Sequence, residues 1–390
     1  MMSTRLANLG EYAFAEVNAK VAELRAAGIE PIDFGVGDPT DPTPSVVRTA
    51  AKEAIDRRAT AGYPSYIGDA GYRDAVAAWF ERRFRVALDG ESEVSASVGS
   101  KEAVVNVHEA LVDPGDVVLC PTPGYPPYSR GALFAEGEPF YMPLTAANDY
   151  LVDFAAIPSD VAKRASMMWL NYPNSPSGAL ASAAFYAAAF EFADSYSLVI
   201  ASDEAYSEIY FGDEPPLSIL NVRKRGALVF NSLSKRSAMT TYRIGWVAGD
   251  ADLVAHYRKV KTNVDSGTPT FLQDAATAAL SDEEHVIAFR TAYRERRDAL
   301  CAGLQDAGLE NCTPPAALYV WQRVPAGMSS VQFAERLLVP EVAVVTTPGP
   351  WLADELEDGS NPGEGFVRFA LVPPLDQTKL AAERIASLTL

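Results

Sequence analysis

Basic residues are in short supply in this chain. Lys and Arg total 33 against 51 Asp and Glu, a formal charge of −18. Holding nucleic acid or an anionic bilayer requires basic surface, so both are excluded as partners. Histidine and cysteine are scarcer still, three of each in 390 residues. His108, His256 and His285 fall in no motif, which argues against histidine-centred hydrolysis and against a metal site. Cys120, Cys301 and Cys312 are odd in number and widely spaced. They draw neither a disulfide framework nor a zinc pattern and fit a reducing cytoplasm. No apolar run is long enough to span a bilayer, and Met1 to Tyr12 lacks the apolar core of a signal peptide. Hydrophobic residues at 48% and charged residues at 22% are those of an ordinary globular protein. At this length one core is too few, and two domains are expected.

The middle of the chain alternates short apolar runs with helical patterns, which marks an α/β fold with a mostly parallel sheet. Strands are expected at Val94–Val98, Val117–Cys120, Met167–Leu170, Leu198–Ser202, Ala227–Phe230 and Ile244–Ala248. Helices are expected between them, at Lys101–Val112 and Ser182–Tyr196 among others. From Asp282 the pattern changes. A long charged helix to Ala307 carries Arg290, Arg294, Arg296 and Arg297 on faces read as mostly solvated. Strand and helix segments follow, at Leu318–Val324, Val331–Leu338, Val342–Val345 and Phe366–Val372. The expected division is a large domain over residues 44–281 and a smaller α+β domain over 1–43 and 282–390. Pro39, Pro42 and Pro44 stiffen the crossing between them. The acidic, glycine-rich stretch Asp354 to Gly365 is expected to be a mobile loop.

Polar clusters follow the strands. Lys235 lies in Asn231-Ser232-Leu233-Ser234-Lys235-Arg236-Ser237, eight residues before Arg243. Cations near an amine favour its neutral, nucleophilic form, while serines and an arginine can hold a phosphate. A lysine able to form an imine beside a phosphate site suggests pyridoxal 5′-phosphate, an electron sink for carbanion chemistry. An exposed loop lysine would explain Lys235 by itself, and the remaining motifs shift the balance. Gly99-Ser100-Lys101 joins a strand to a helix, where free N–H groups and the helix dipole bind phosphate. In isolation, simple capping by Ser100 is the better explanation. Asp203 and Tyr206 follow a hydrophobic strand whose carboxyl end, in a parallel sheet, faces the ligand crevice. There a buried Asp203 could pair with a pyridinium nitrogen, and Tyr206 could reach a ring hydroxyl. Asn171-Tyr172-Pro173-Asn174-Ser175-Pro176-Ser177-Gly178 reads either as a proline turn or as an amide offered to a ring oxygen. Tyr125, in Pro123-Gly124-Tyr125-Pro126, could stack on a flat ring or pack under its loop. Arg368 alternates with apolar residues in Phe366-Val367-Arg368-Phe369, and its planar fork suits a substrate carboxylate.

In this order the motifs resemble the pyridoxal-phosphate-dependent aminotransferases of fold type I, class I/II, from Gly35-Val36-Gly37-Asp38-Pro39 to Arg368. The resemblance implies a seven-stranded, mostly parallel sheet sandwiched by helices, with a smaller α+β domain beside it. It implies transfer of an amino group from an L-amino acid to a 2-oxo acid by way of pyridoxamine phosphate. Lys235 would form the imine and shuttle a proton. Asp203 would bind the pyridine nitrogen, Tyr206 the ring hydroxyl, and Tyr125 would stack on the ring. Gly99, Ser100, Lys101, Ser232 and Arg243 would hold the phosphate. Tyr63 would reach the phosphate of a neighbouring subunit, which implies a homodimer with shared active sites. Arg368 would clamp the substrate α-carboxylate, with the backbone of Gly37 opposite. Gly35–Pro44 and Lys261–Gly267 look most like the branch of LL-diaminopimelate and alanine/aspartate-type aminotransferases.

The chain departs from that family in three places, one of them Tyr242, where tryptophan is common. Ser175-Pro176-Ser177-Gly178 stands where Asn-Pro-Thr-Gly is usual, so serine replaces the ring-oxygen asparagine, with Asn171 or Asn174 as candidates to compensate. The stretch Thr347 to Gly365 is longer than the usual loop and lacks its Phe-Gly. These departures leave room for elimination, cyclisation or oxidation on the same cofactor. A regulator that only senses the cofactor would need a DNA-binding extension and basic surface. A dinucleotide-binding dehydrogenase would need a third glycine where Thr40 stands.

Overall fold

The computed structural model describes Leu6 and residues 15–388. The rest of Met1 to Tyr12, read above for its lack of a targeting segment, lies outside the described residues. In chain order the strands are β1 (Ile32–Asp33), β2 (Val94–Ser97), β3 (Val117–Thr122), β4 (Glu138–Pro143), β5 (Ala165–Asn171), β6 (Val199–Asp203), β7 (Ala227–Ser232), β8 (Gly245–Gly249), β9 (Tyr319–Arg323), β10 (Val344–Val345), β11 (Thr347–Pro348) and β12 (Phe366–Ala370). Seven of them form one sheet in the order β2-β8-β7-β6-β5-β3-β4. All neighbours in it run parallel except β8, which is antiparallel to both β2 and β7.

Helices cover both faces of a parallel sheet, so its central strands are apolar throughout. Every residue of β3 and β7 is buried. Alternate residues of β5 point to opposite sides. Met168 and Leu170 join one core with Val229 and Trp246, while Met167 and Trp169 join another with Phe230 and Val247. A third core gathers Phe34, Leu318, Val320, Phe333, Val367, Phe369 and Ile385 around the antiparallel sheet β11-β12-β9. Among the described residues, no helix is long and apolar enough to cross a membrane.

Three expectations need correction. β4 was not anticipated: two prolines and a glutamate break its apolar pattern, which an edge strand tolerates because one side needs no ladder. The helix expected at Lys101–Val112 divides into Ser100–Asn106 and His108–Leu111. Of the four arginines of the long helix Glu284–Asp306, Arg290, Arg296 and Arg297 are partly or fully buried and Arg294 is exposed. The Arg290 guanidinium lies 3.9 Å from the Tyr210 ring centre and that of Arg297 4.3 Å from Phe211. Arg294 donates to the Phe211 carbonyl. Arg296, with 8% of its side chain exposed, pairs with both oxygens of Asp41. Charge spacing marked this helix as wet, but aromatic rings and a carboxylate from distant segments bury its basic side.

The Arg296–Asp41 pair anchors the segment that leads from β1 toward the large sheet. Removing one member of a buried pair leaves the other uncompensated. Asp41→Ala is expected to lower stability by about 3 kcal/mol, read as a lower urea midpoint with unchanged slope.

Candidate active site

The carboxyl ends of β5, β6 and β7 lie side by side, with Asn171 registered against Asp203 and Asp203 against Phe230. This edge of a parallel sheet is where the open crevice forms. β7 then runs directly into the short helix Leu233–Arg236, with Ser232 as its N-cap. Ser232 Oγ accepts from the Ser234 N–H at 3.1 Å. That cap turns the chain so that Lys235 crosses to the strap Gly35–Asp38, where Nζ donates to the Gly37 carbonyl.

Asp203 is 5% exposed. Its Oδ2 accepts from the Tyr128 hydroxyl at 2.8 Å and its Oδ1 from the Ala205 N–H at 3.1 Å. No ion pair involves it among the described residues. Burial pushes its carboxyl up to about 6, against the weaker pull of those two hydrogen bonds. A buried carboxylate short of a cation is the partner a pyridinium N–H requires. Tyr128 is itself held by stacking on Trp169, ring centres 4.6 Å apart, and Trp169 Nε1–H donates to His108 at 3.0 Å. Tyr125 stands edge-on to Tyr128, ring centres 5.8 Å apart.

The other end of the cradle gathers groups that could hold an anion. Gly99 takes a φ of +70° before the helix Ser100–Asn106, and a β-carbon there would sit 2.0 Å from Arg243 Nη2. Arg243, itself left-handed at φ 51°, donates to the carbonyls of Thr240 (2.8 Å) and Val98 (3.4 Å). Its guanidinium is thus laid against the strand-to-helix turn beside Ser100, whereas Lys101 is exposed. These features fit pyridoxal phosphate at both ends, the pyridine at Asp203 and the phosphate at the Gly99–Arg243 cradle.

On the opposite wall, Arg368 in β12 donates to the Gly35 carbonyl at 3.0 Å, and its Nε is buried without a partner. Its guanidinium carbon lies 4.5 Å from the centre of the Tyr319 ring. Tyr206 and Tyr319 share a hydrogen bond of 3.0 Å between their hydroxyls. A β-carbon on Gly37 would fall 2.1 Å from the Tyr319 oxygen, so only glycine lets the strap pass there. Asn171 donates to the Asp203 carbonyl (2.9 Å) and accepts from the Ser175 N–H (2.9 Å). Asn174 accepts from the N–H and hydroxyl of Ser177. Asn174 thus binds within its own loop, while Asn171 ties that loop to the end of β6. Tyr63 is 90% exposed and joins none of these groups within the chain.

Sequence reasoning missed Tyr128 and Tyr319. Tyr128 had a signal, standing three residues after Tyr125 at the start of a helix, where i and i+3 share a face. Tyr319 had none without the pairing register, which sets it opposite Ala370 beside Arg368.

The family profile "Aminotransferase class I and II" matches residues 29–385. The LL-diaminopimelate aminotransferase of Aquifex aeolicus (strain VF5) is 45% identical, the alignment covering 100% of this chain and 99% of that one. That of Syntrophobacter fumaroxidans is 41% identical over 99% of this chain and 98% of its own. Among solved structures, an aminotransferase from Neisseria meningitidis superposes with a TM-score of 0.92 at 33% identity, covering 100% of both chains. An aspartate aminotransferase mutant from Thermus thermophilus superposes with a TM-score of 0.89 at 29% identity, covering 99% of each. The chain belongs to the class I and II aminotransferases. It moves an amino group from an L-amino acid to a 2-oxo acid and depends on pyridoxal phosphate, alternating with pyridoxamine phosphate.

The raised Asp203 carboxyl has a stability consequence in cofactor-free protein. Its folded pKa, about 6, exceeds the ordinary 3.8. The folded state then binds more protons between those values, so stability falls as pH rises through them. The cost is absent near pH 4 and complete above about 6. Relative to Asp203→Asn, the parent is expected to lose about 2–3 kcal/mol between these limits. Urea denaturation at both pH values checks this, and parallel pH profiles would contradict it.

Proposed function

We propose that this aminotransferase takes LL-diaminopimelate as amino donor. What carries the reading is the near-complete match to relatives that bear the LL-diaminopimelate aminotransferase name, at 45% and 41% identity. The Arg368 side chain supports it, with a buried Nε left over for one carboxylate oxygen. An amino acid's α-carboxylate meets that fork bidentately, with the Gly37 backbone opposite.

When bound, pyridoxal phosphate supplies the electron sink for charge that develops at the substrate α-carbon. The chain's residues divide the remaining work. Lys235 Nζ would hold the cofactor and, as a free amine, would take the proton from the substrate's α-carbon. Asp203 keeps a proton on the pyridine nitrogen, helped by Tyr128. Tyr206, with Ser175, Asn171 and Asn174 close by, orients the ring oxygen, and Tyr125 covers the ring face. Gly99, Ser100, Lys101, Ser232 and Arg243 hold the phosphate. Tyr63 is read as completing the phosphate site of a second copy, so that active sites are shared across a homodimer. Its outward position, unused by its own chain, supports that reading. We read residues 44–281 as the large domain and 1–43 with 282–390 as the small one, in accord with their separate cores. The three cysteines, all free thiols, accord with a reducing cytoplasm.

Turnover of LL-diaminopimelate with 2-oxoglutarate, followed as glutamate formed, is expected to exceed that of alanine or aspartate. Equal or greater turnover with either of those would overturn the donor assignment. Lys235→Ala is expected to lose both the visible absorbance of the holoenzyme and its turnover; a yellow, active variant would remove Lys235 from the role. Arg368→Ala is expected to weaken substrate capture by about 2–5 kcal/mol, seen chiefly in KM.

A further inference from the structure

The asparagine that usually meets the ring oxygen is Ser175 here, and a serine hydroxyl is shorter than an amide. Around it the structure gathers a set of hydroxyls that no motif announced. Tyr319 is 4% exposed and lies on β9, on the same sheet face as Arg368. Its hydroxyl is 3.0 Å from that of Tyr206, and the Ser175 side chain is close enough to help lower its phenol. Rings of Tyr206 and Tyr319 meet edge to face, centres 5.6 Å apart at 77°, so their hydroxyls are held together by packing. The Gly37 strap closes over the Tyr319 oxygen.

We propose that Tyr319 is a positioning residue: Ser175 donates to the Tyr319 oxygen, Tyr319 donates to Tyr206, and Tyr206 is left with its own O–H for the cofactor's ring oxygen. This relay offsets the missing amide. It rests on the reading of Tyr206 given above.

The geometry allows either hydroxyl of the Tyr206–Tyr319 pair to donate. Burial raises the Tyr319 phenol, but the Arg368 guanidinium, the Lys235 ammonium and the neighbouring hydroxyls of Tyr206 and Ser175 outweigh it and leave it below the ordinary value. Burial, then Tyr319 and Asp203, push the Tyr206 phenol up, with only Arg368 opposing. The more acidic phenol is the better donor, so Tyr319 gives its proton toward Tyr206. A donor already accepting a hydrogen bond donates more strongly, by roughly 10–30%.

The test is a pH titration of the visible band of the resting holoenzyme. A strong donor at the ring oxygen would draw charge from it and so lower the pH at which the band changes form. Tyr319→Phe keeps the ring but ends the relay, so the band is expected to change form at a pH higher by roughly 0.3–1 unit. Tyr206→Phe is expected to shift it further in the same sense. Because Tyr319 acts through Tyr206, the double variant is expected to match Tyr206→Phe alone. Additive shifts, or a Tyr319→Phe curve that overlays the parent while Tyr206→Phe moves, would overturn the relay. If Tyr206→Phe also leaves the band unmoved, the reading of Tyr206 itself fails, and the relay with it. Should Tyr319→Phe not fold, Ser175→Ala serves: an upward shift that disappears in the Tyr206→Phe background supports the relay, and one that persists refutes it.

Discussion

Asp203 has two oxygens, two neutral donors and almost no water, and much of the surrounding architecture exists to keep it there. A carboxylate this deep is costly unless something cationic is brought to it. It is tolerable because β6 ends there, so the peptide N–H of Ala205 and the Tyr128 hydroxyl are already aimed at it. Behind Tyr128 the layers continue through Trp169 to a buried His108, whose imidazole burial drives down to about 4. That histidine is neutral and acts as an acceptor for Trp169. Its part is to fix the ring that fixes the hydroxyl.

The reversal of β8 supplies the anion end of the site. In a wholly parallel sheet the chain leaving β7 would cross over through a helix and return at the far end. Here it returns at once, antiparallel, and so Arg243 is delivered at the same edge as Lys235. β2 lies on the other side of β8, and its turn into Ser100 comes to that edge as well. The β7–β8 connection and the distant turn after β2 therefore meet where a phosphate would sit, with Gly99 backed so closely by Arg243 that no side chain could intervene.

How much of this was legible beforehand varied with how local the cause was. Strands β3, β5, β6, β7 and β8 could be read because two covered faces demand an unbroken apolar run, and that demand is local. The strand-end positions of Asp203 and Lys235 followed from the same runs. β4 could not be read, because an edge strand is released from that demand and its prolines disguise it. The basic helix was misjudged for a different reason. Tyr210, Phe211 and Asp41 lie from about 70 to over 250 positions away, and nothing within the helix announces that they cover it. Tyr319 was invisible on similar grounds. Its importance comes from register, since it lies opposite Ala370 and next to Arg368, and register between β9 and β12 is not a property of either strand alone.

The strap Gly35–Asp38 ties these parts into one unit. It leaves β1 in the smaller core, and its Gly35 carbonyl accepts from both Thr347 and Arg368. Two residues on, the Gly37 carbonyl accepts from Lys235, which is rooted at the end of β7 in the large sheet. The same glycine leaves room for Tyr319, whose hydroxyl reaches Tyr206 from the smaller core's sheet. The groups proposed to face substrate and cofactor thus share a backbone segment of four residues.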